Sequence, residues 1–169
     1  MPRLHSLELL PDSPGTERVR REWEALREAG LPSQLDHRGS TNTPHLTVVE
    51  APALEPEVEE EAARAFASLL PLDVRLTGVA LLGTGPRVAL VRLVESPDRL
   101  AAAVLALRSR TPGSHHTGWV PHLTLARRLP RDDVPAALAT LASLPRDDEP
   151  ITLSALRRWD PETGTVRAL

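Results

Sequence analysis

The chain has 169 residues, with 41% hydrophobic and 25% charged residues and a net charge of −3. That is one ordinary soluble domain, able to bury ~70% of the surface its unfolded chain exposes and ill suited to coating nucleic acid by bulk electrostatics. There is no Cys, no Lys and no Tyr, and all 20 basic residues are Arg, which excludes disulfides, thiolate metal centres, Schiff-base chemistry, the P-loop lysine and lysyl–nucleotide intermediates.

Leu4–Leu10 alternates as a short strand. From Thr16 to Ala29, Val19, Trp23 and Leu26 recur at helical spacing, with Thr16 as N-cap and Gly30 as the stop. Leu31–Thr43 has no apolar period and reads as a loop. His45–Glu50 is a strand. Pro56 opens a second helix whose inward face is Val58, Ala62, Phe66 and Leu69. Its acidic run Glu57–Glu61 suits the positive end of the helix dipole. Asp73–Leu82 and Arg87–Val94 are strands around a Gly83–Pro86 hairpin turn. Ser96 and Pro97 cap a third helix carrying Leu100, Val104 and Leu107 inward. The loop Thr111–Gly118 leads to a strand over Trp119–Arg127. A fourth helix spans about Asp133–Leu144, and strands at Ile151–Leu156 and Thr165–Leu169 finish the chain.

In order this is βαβαβ–βαβαβ plus one strand. The halves agree in spacing: His45 precedes Asp73 by 28 residues, and His122 precedes Ile151 by 29. The pattern predicts one domain over 1–169, made of two copies of one unit (about 4–82 and 87–158) that meet as two lobes around a cleft. No run of 18 apolar residues exists, and Met1–Leu10 lacks a signal-peptide layout. A cytoplasmic monomer is expected.

The tetrapeptide Pro-His-Leu-Thr occurs twice, at 44–47 and 121–124, each time opening the middle strand of its repeat. On a strand, residues i and i+2 share a face. His45 and Thr47 therefore project together, with Leu46 and Val48 turned to the core; His122 and Thr124 repeat this against Leu123 and Leu125. Packed by pseudo-twofold symmetry, two imidazoles and two hydroxyls converge. One imidazole can take a proton from water while its twin protonates a leaving oxygen. The hydroxyls can donate to the non-bridging oxygens of a phosphate.

Paired His-x-Thr strands in a duplicated βαβ arrangement resemble the two-histidine (2H) phosphoesterase superfamily. The segment Trp119-Val-Pro-His-Leu-Thr-Leu-Ala-Arg-Arg128 is most similar to its bacterial 2′-5′ RNA ligase-like and cyclic phosphodiesterase branch. The resemblance implies a bilobal α+β fold with antiparallel sheets flanking a cleft. It also implies catalytic His45 and His122, and phosphate-binding Thr47 and Thr124. The implied activity opens 2′,3′-cyclic phosphates of RNA ends or nucleotides, or makes and breaks 2′-5′ links, without ATP, metal or other cofactor. A non-catalytic binder of RNA ends or small phosphorylated ligands is the alternative, and a metal-dependent hydrolase the third reading.

Further residues are candidates to line the cleft. Arg127 follows the second motif and Arg grips phosphate bidentately, but strict alternation puts it on the opposite face unless a bulge intervenes. Trp119 adjoins the second motif and can either stack on a base or pack in the core. Arg38 and Asn42 lie in the loop before the first motif, and His115 in the loop before the second. His115 and His116 with Asp36 and His37 lack ligand spacing, so no metal site is expected. With one Phe, three Trp and no Tyr, platforms for reading a base are few.

Overall fold

The computed structural model describes residues 3–114 and 118–169; His115 and His116 lie outside them. In chain order the elements are β1 (His5–Pro11), α1 (Ser13–Glu28), β2 (Leu46–Ala51), α2 (Pro56–Ala67), β3 (Leu72–Leu82), β4 (Arg87–Glu95), α3 (Asp98–Arg110), β5 (His122–Pro130), α4 (Val134–Ala142), β6 (Ile151–Asp160) and β7 (Thr165–Ala168). The α+β alternation read from the sequence is the one observed.

Several boundaries move, each for a local reason. Helix α1 starts three residues before Thr16, because Asp12 is the N-cap: its carboxylate accepts the Gly15 amide at 2.9 Å, and Pro14 fits the first turn. Its end is as expected. Gly30 takes φ +74, the Gly30 amide bonds to the Arg27 carbonyl, and the Leu31 amide to the Leu26 carbonyl, the double closure that a left-handed residue permits. The segment Leu31–Thr43 is not featureless: a 3₁₀ turn at Gln34–Asp36 closes on a reciprocal Ser33–Asp36 cap. Ser96 does not cap α3; Pro97 precedes that helix with no side-chain bond to its amides. Strand β5 starts at His122, after Pro121, and not at Trp119. Strand β6 runs on to Asp160, four residues past its predicted end, because β1 and β7 pair with its two edges there.

All strand pairs are antiparallel, in the order β1-β2-β5-β4-β3-β6-β7, and β1 also pairs with β6. Six strands thus form a closed circuit with β7 attached to β6. Exchanging β1 with β4, β2 with β5 and β3 with β6 maps every pairing of the circuit onto another or onto itself. The duplication in the sequence is therefore a pseudo-twofold of the fold.

The repeats do not each keep a sheet half to themselves. β3 pairs with β4 and β6 with β1, so the halves are β2-β1-β6-β7 and β5-β4-β3. The expected division between residues 82 and 87 falls inside the second half. A connection of four residues, Gly83–Pro86, can only join antiparallel neighbours, so the hairpin expected there pairs β3 with β4 across the repeat boundary.

The halves meet at two places on the pseudo-axis. One is the β3–β6 ladder, Leu72–Val74 against Ile151–Leu153; the other is a single pair, Leu46 opposite Leu123. One continuous core of buried residues, including Leu46, Leu123, Trp23, Phe66 and Leu100, lies between the sheet and the helices.

Leu123 is fully buried at the junction. Leu123→Ala is expected to lower stability by about 2–5 kcal/mol, read from the denaturant midpoint, with m unchanged.

Candidate active site

The Leu46–Leu123 pair sets the geometry of the two motifs. Extended by one residue on either side, that antiparallel register puts His45 across from Thr124, and Thr47 across from His122. These four residues share the face opposite Leu46 and Leu123, whose side chains are fully buried against the helices. All four are partly exposed. Directly opposed side chains on an antiparallel pair have Cβ atoms about 5 Å apart and diagonal ones about 7–8 Å. The two histidines are the diagonal partners, a span that suits one tetrahedral anion held between them.

Both imidazoles are oriented in the same way. His45 Nδ1 lies 2.8 Å from the Thr43 carbonyl, and His122 Nδ1 lies 2.7 Å from the Val120 carbonyl. In each case the partner is two residues back. A carbonyl only accepts, so each Nδ1 carries a proton and each Nε2 is left as the nitrogen that can exchange one. The duplication extends to tautomer control.

Each motif strand then bulges just after its Thr. Between Leu7 and Glu8, β1 advances one residue while β2 passes from Val49 to Thr47; between Leu90 and Val91, β4 advances one while β5 passes from Ala126 to Thr124. Two consecutive residues are therefore fully buried in each strand, Val48 with Val49 and Leu125 with Ala126. The slip turns the following residue back to the open face: Glu50 on β2, Arg127 on β5, both exposed. This corrects the expectation from strict alternation that Arg127 faces away. A second bulge follows, with Arg128 at φ +59.

Carbonyls around the bulges are satisfied by side chains. Trp119 donates its indole N–H to the Thr47 carbonyl at 3.0 Å, Trp23 donates to the Thr124 carbonyl at 2.9 Å, and Arg108 to the Val48 carbonyl at 3.1 Å. Trp119 is partly buried against the core, so it braces one motif from the segment that leads into the other. Asn42 does not reach into the site with its amide. It donates to the Gln34 and His37 carbonyls, at 2.9 and 3.0 Å, and pins its own loop. Arg38 is exposed in that loop.

Glu8, which no motif or spacing singles out, lies opposite Thr47 on β1. It is 4% exposed. Arg157 Nε donates to its Oε2 at 2.8 Å, Ser6 Oγ donates to its Oε1 at 2.7 Å, and His45 Nε2 lies 3.7 Å from Oε1. In the other half Val91 is opposite Thr124, so the carboxylate attends one histidine and not its twin.

Among the described residues, the one trio of side chains spaced to hold a metal ion is His5, Asp160 and Glu162. Asp36 and His37 take no part in it. Arg158 already fills the trio's electrostatic need, with its guanidinium 3.0 Å from His5 Nδ1 and 3.2 Å from Asp160 Oδ2. The Asp160 carboxyl is held below the usual carboxylate range, chiefly by the Glu162 amide and also by the Thr163 amide and Arg158. The trio lies on the helix side of the sheet, away from the motif histidines. A groove of about 690 Å³ between α1, β3, β4 and the segment after α4 is lined by charges that pair with one another, Arg92 with Glu22 at 2.6 Å and Arg18 with Asp147 at 3.4 Å.

Breaking the Glu8–Arg157 pair leaves a buried guanidinium without its counter-charge. Glu8→Ala is expected to cost about 3–5 kcal/mol, and pairing Glu8→Leu with Arg157→Met to recover most of it, both measured by urea denaturation.

Comparison with known proteins bears on the family and the fold. A family model described as the 2′-5′ RNA ligase superfamily matches residues 14–166. Among solved structures the chain is similar to Usb1 of Kluyveromyces marxianus, with a TM-score of 0.59 at 16% identity over 99% of this chain and 98% of that one. E. coli LigT, in a crystal structure with 3′-AMP, gives 0.55 at 15% identity over 100% and 95%. TT0787 of Thermus thermophilus gives 0.53 at 18% identity over 99% and 95%. A search of curated proteins finds no match.

Proposed function

Because the chain belongs to the 2′-5′ RNA ligase superfamily, a family of phosphoesterases, we propose that His45 and His122 are the acid–base pair of a phosphodiesterase that opens 2′,3′-cyclic phosphates at RNA ends or on nucleotides. The observation that carries this reading is the matched orientation of the two rings. Each has its Nδ1 committed to a carbonyl two residues back, and the two histidines immediately precede the residues, Leu46 and Leu123, that form one junction of the sheet.

The chemistry then needs only water. One Nε2 removes a proton from water as its oxygen bonds to phosphorus. The other gives a proton to the ribose oxygen whose bond to phosphorus breaks. The products are a phosphomonoester and a free hydroxyl, and the protonation states of the two rings are exchanged. Thr47 and Thr124, each across from a histidine, are placed to donate to the non-bridging oxygens, and Arg127 to balance their charge. Reversible 2′-5′ joining of RNA ends is the same step with a ribose hydroxyl in place of water, and needs no ATP, metal or cofactor.

The experiment incubates the protein with the four nucleoside 2′,3′-cyclic phosphates, with and without EDTA. Turnover is expected in both conditions, with a bell-shaped dependence on pH. His45→Ala or His122→Ala is expected to reduce the rate by about 10²–10⁴-fold with an unchanged melting curve. Binding of a 3′-nucleotide without turnover would favour a recognition domain, and a rate abolished by EDTA a metal enzyme.

A further inference from the structure

The pseudo-twofold lets residues around the two motifs be compared position by position, and on the open face the comparison is lopsided. In the half containing β2, the residues beyond Thr47 are Glu8 on β1 and Arg157 on β6, opposite each other, followed one pleat along by Ser6 and Trp159, also opposite each other. In the half containing β5, the corresponding positions beyond Thr124 are Val91 with Ala80, then Ala89 with Leu82. One half is polar and carries an indole; the other is aliphatic.

Trp159 differs from the other aromatic residues in standing outside the core and in leaving its indole N–H without a bond among the described residues. Trp23 and Phe66 are 1% exposed in the core, and Trp119 spends its N–H on the Thr47 carbonyl. Trp159 is partly exposed, and its side chain makes no hydrogen bond among the described residues. Its neighbours in sequence show which way it faces. Arg158 points to the helix side, where Glu59 of α2 pairs with it at 2.6 Å, so by alternation Trp159 points to the open face with Glu8 and His45. Val166 of β7, opposite Trp159, is 39% exposed, so the ring lies beside a solvent-facing edge of the sheet.

We infer that Trp159 is the platform on which the base of a nucleotide stacks when its phosphate is held by the histidine quartet. This rests on the nucleotide reading above. An indole offers its face to any base, so it supplies affinity without strong preference among bases. From the Thr47 row to Trp159 the sheet spans two inter-strand steps of about 4.8 Å each and one pleat along the strand, a distance bridged by a nucleoside and the reach of an indole. Among the described residues the matching positions of the aliphatic half, Val91, Ala80, Ala89 and Leu82, offer no group for this, so the base-bearing side of the substrate lies over β1 and β6.

The test is calorimetric binding of adenosine and uridine 3′-monophosphates, and of ribose 5-phosphate as a base-free probe, to the wild-type protein, Trp159→Ala and Trp159→Phe. The expected result is a loss of about tenfold or more in affinity for both nucleotides in Trp159→Ala. Trp159→Phe is expected to retain most of the affinity, and ribose 5-phosphate to bind all three proteins equally. Unchanged nucleotide binding in Trp159→Ala overturns the inference. So does an equal loss for ribose 5-phosphate, which signals general damage, or a wild-type protein that binds no nucleotide. Turnover is scored separately: a protein that binds through Trp159 but turns over no cyclic phosphate defeats the catalytic reading and leaves the base platform standing.

Discussion

One pair of leucines, Leu46 and Leu123, fixes where every functional group points. It is the only registered contact between β2 and β5 among the described residues, and both side chains are fully buried. Side chains alternate with a period of two, so a slip by one residue in either strand would drive an imidazole into the core and a leucine into water. Burial of Leu46, Val48, Leu123 and Leu125 contributes about 1.5–3 kcal/mol each, more than the ~1 kcal/mol of a typical hydrogen bond in the site. The apolar side of the motif therefore aims the polar side. The His–carbonyl bonds then refine an orientation that packing has already chosen.

The frame is symmetric and its decoration is not. The clearest case is the buried pair of Glu8 with Arg157 against Val91 with Ala80 at the matching positions. Burying an ion pair costs desolvation that the attraction between its members only roughly offsets, and an apolar replacement is often neutral or stabilising. Here the protein itself displays the apolar solution in its other half, on the same strand pairing. The fold does not require the charged version. What that version supplies is a fixed carboxylate 3.7 Å from one histidine and, among the described residues, none paired with its twin, a difference that symmetry alone would forbid.

Much of this is legible from residue pattern, and what is not has identifiable causes. The order of strands and helices follows from apolar spacing and from Gly and Pro, since Gly83–Pro86 and Gly30 act through backbone geometry that depends on no distant contact. The twin Pro-His-Leu-Thr peptides yield the quartet because strand alternation is a local rule. Alternation puts Arg127 on the wrong face because a bulge is made jointly by two strands, and nothing in β5 alone announces that β4 will advance one residue where β5 advances two. The pattern ends β6 at Leu156 because Arg157-Arg158-Trp159 breaks the apolar rhythm. Arg157 is buried only because Glu8, 149 residues earlier, neutralises it. Glu8 itself reads as an ordinary polar position on a half-buried strand. Buried charge and sheet topology are long-range facts, and both residues that make the two halves unequal near His45 depend on them.

The bulges add a last step. Without them, the face bearing His45 and Thr47 would carry Val49 next, and the face bearing His122 and Thr124 would carry Ala126. With them, Glu50 and Arg127 take those places, an anion on one strand and a cation on the other, related by the pseudo-axis. In the proposed reaction, two histidines with matching backbone anchors can exchange a proton in either sense, so the motifs by themselves do not distinguish the attacking oxygen from the departing one. The distinction has to come from charges that the pseudo-axis does not repeat. Glu8 is already paired with Arg157 on its own half, so the exposed charges that differ at matched positions are Glu50 on the half that contains His45 and Arg127 on the half that contains His122. On the proposed reading, an anionic substrate lying across the junction meets Glu50 on one side and Arg127 on the other, which favours one direction over its reverse.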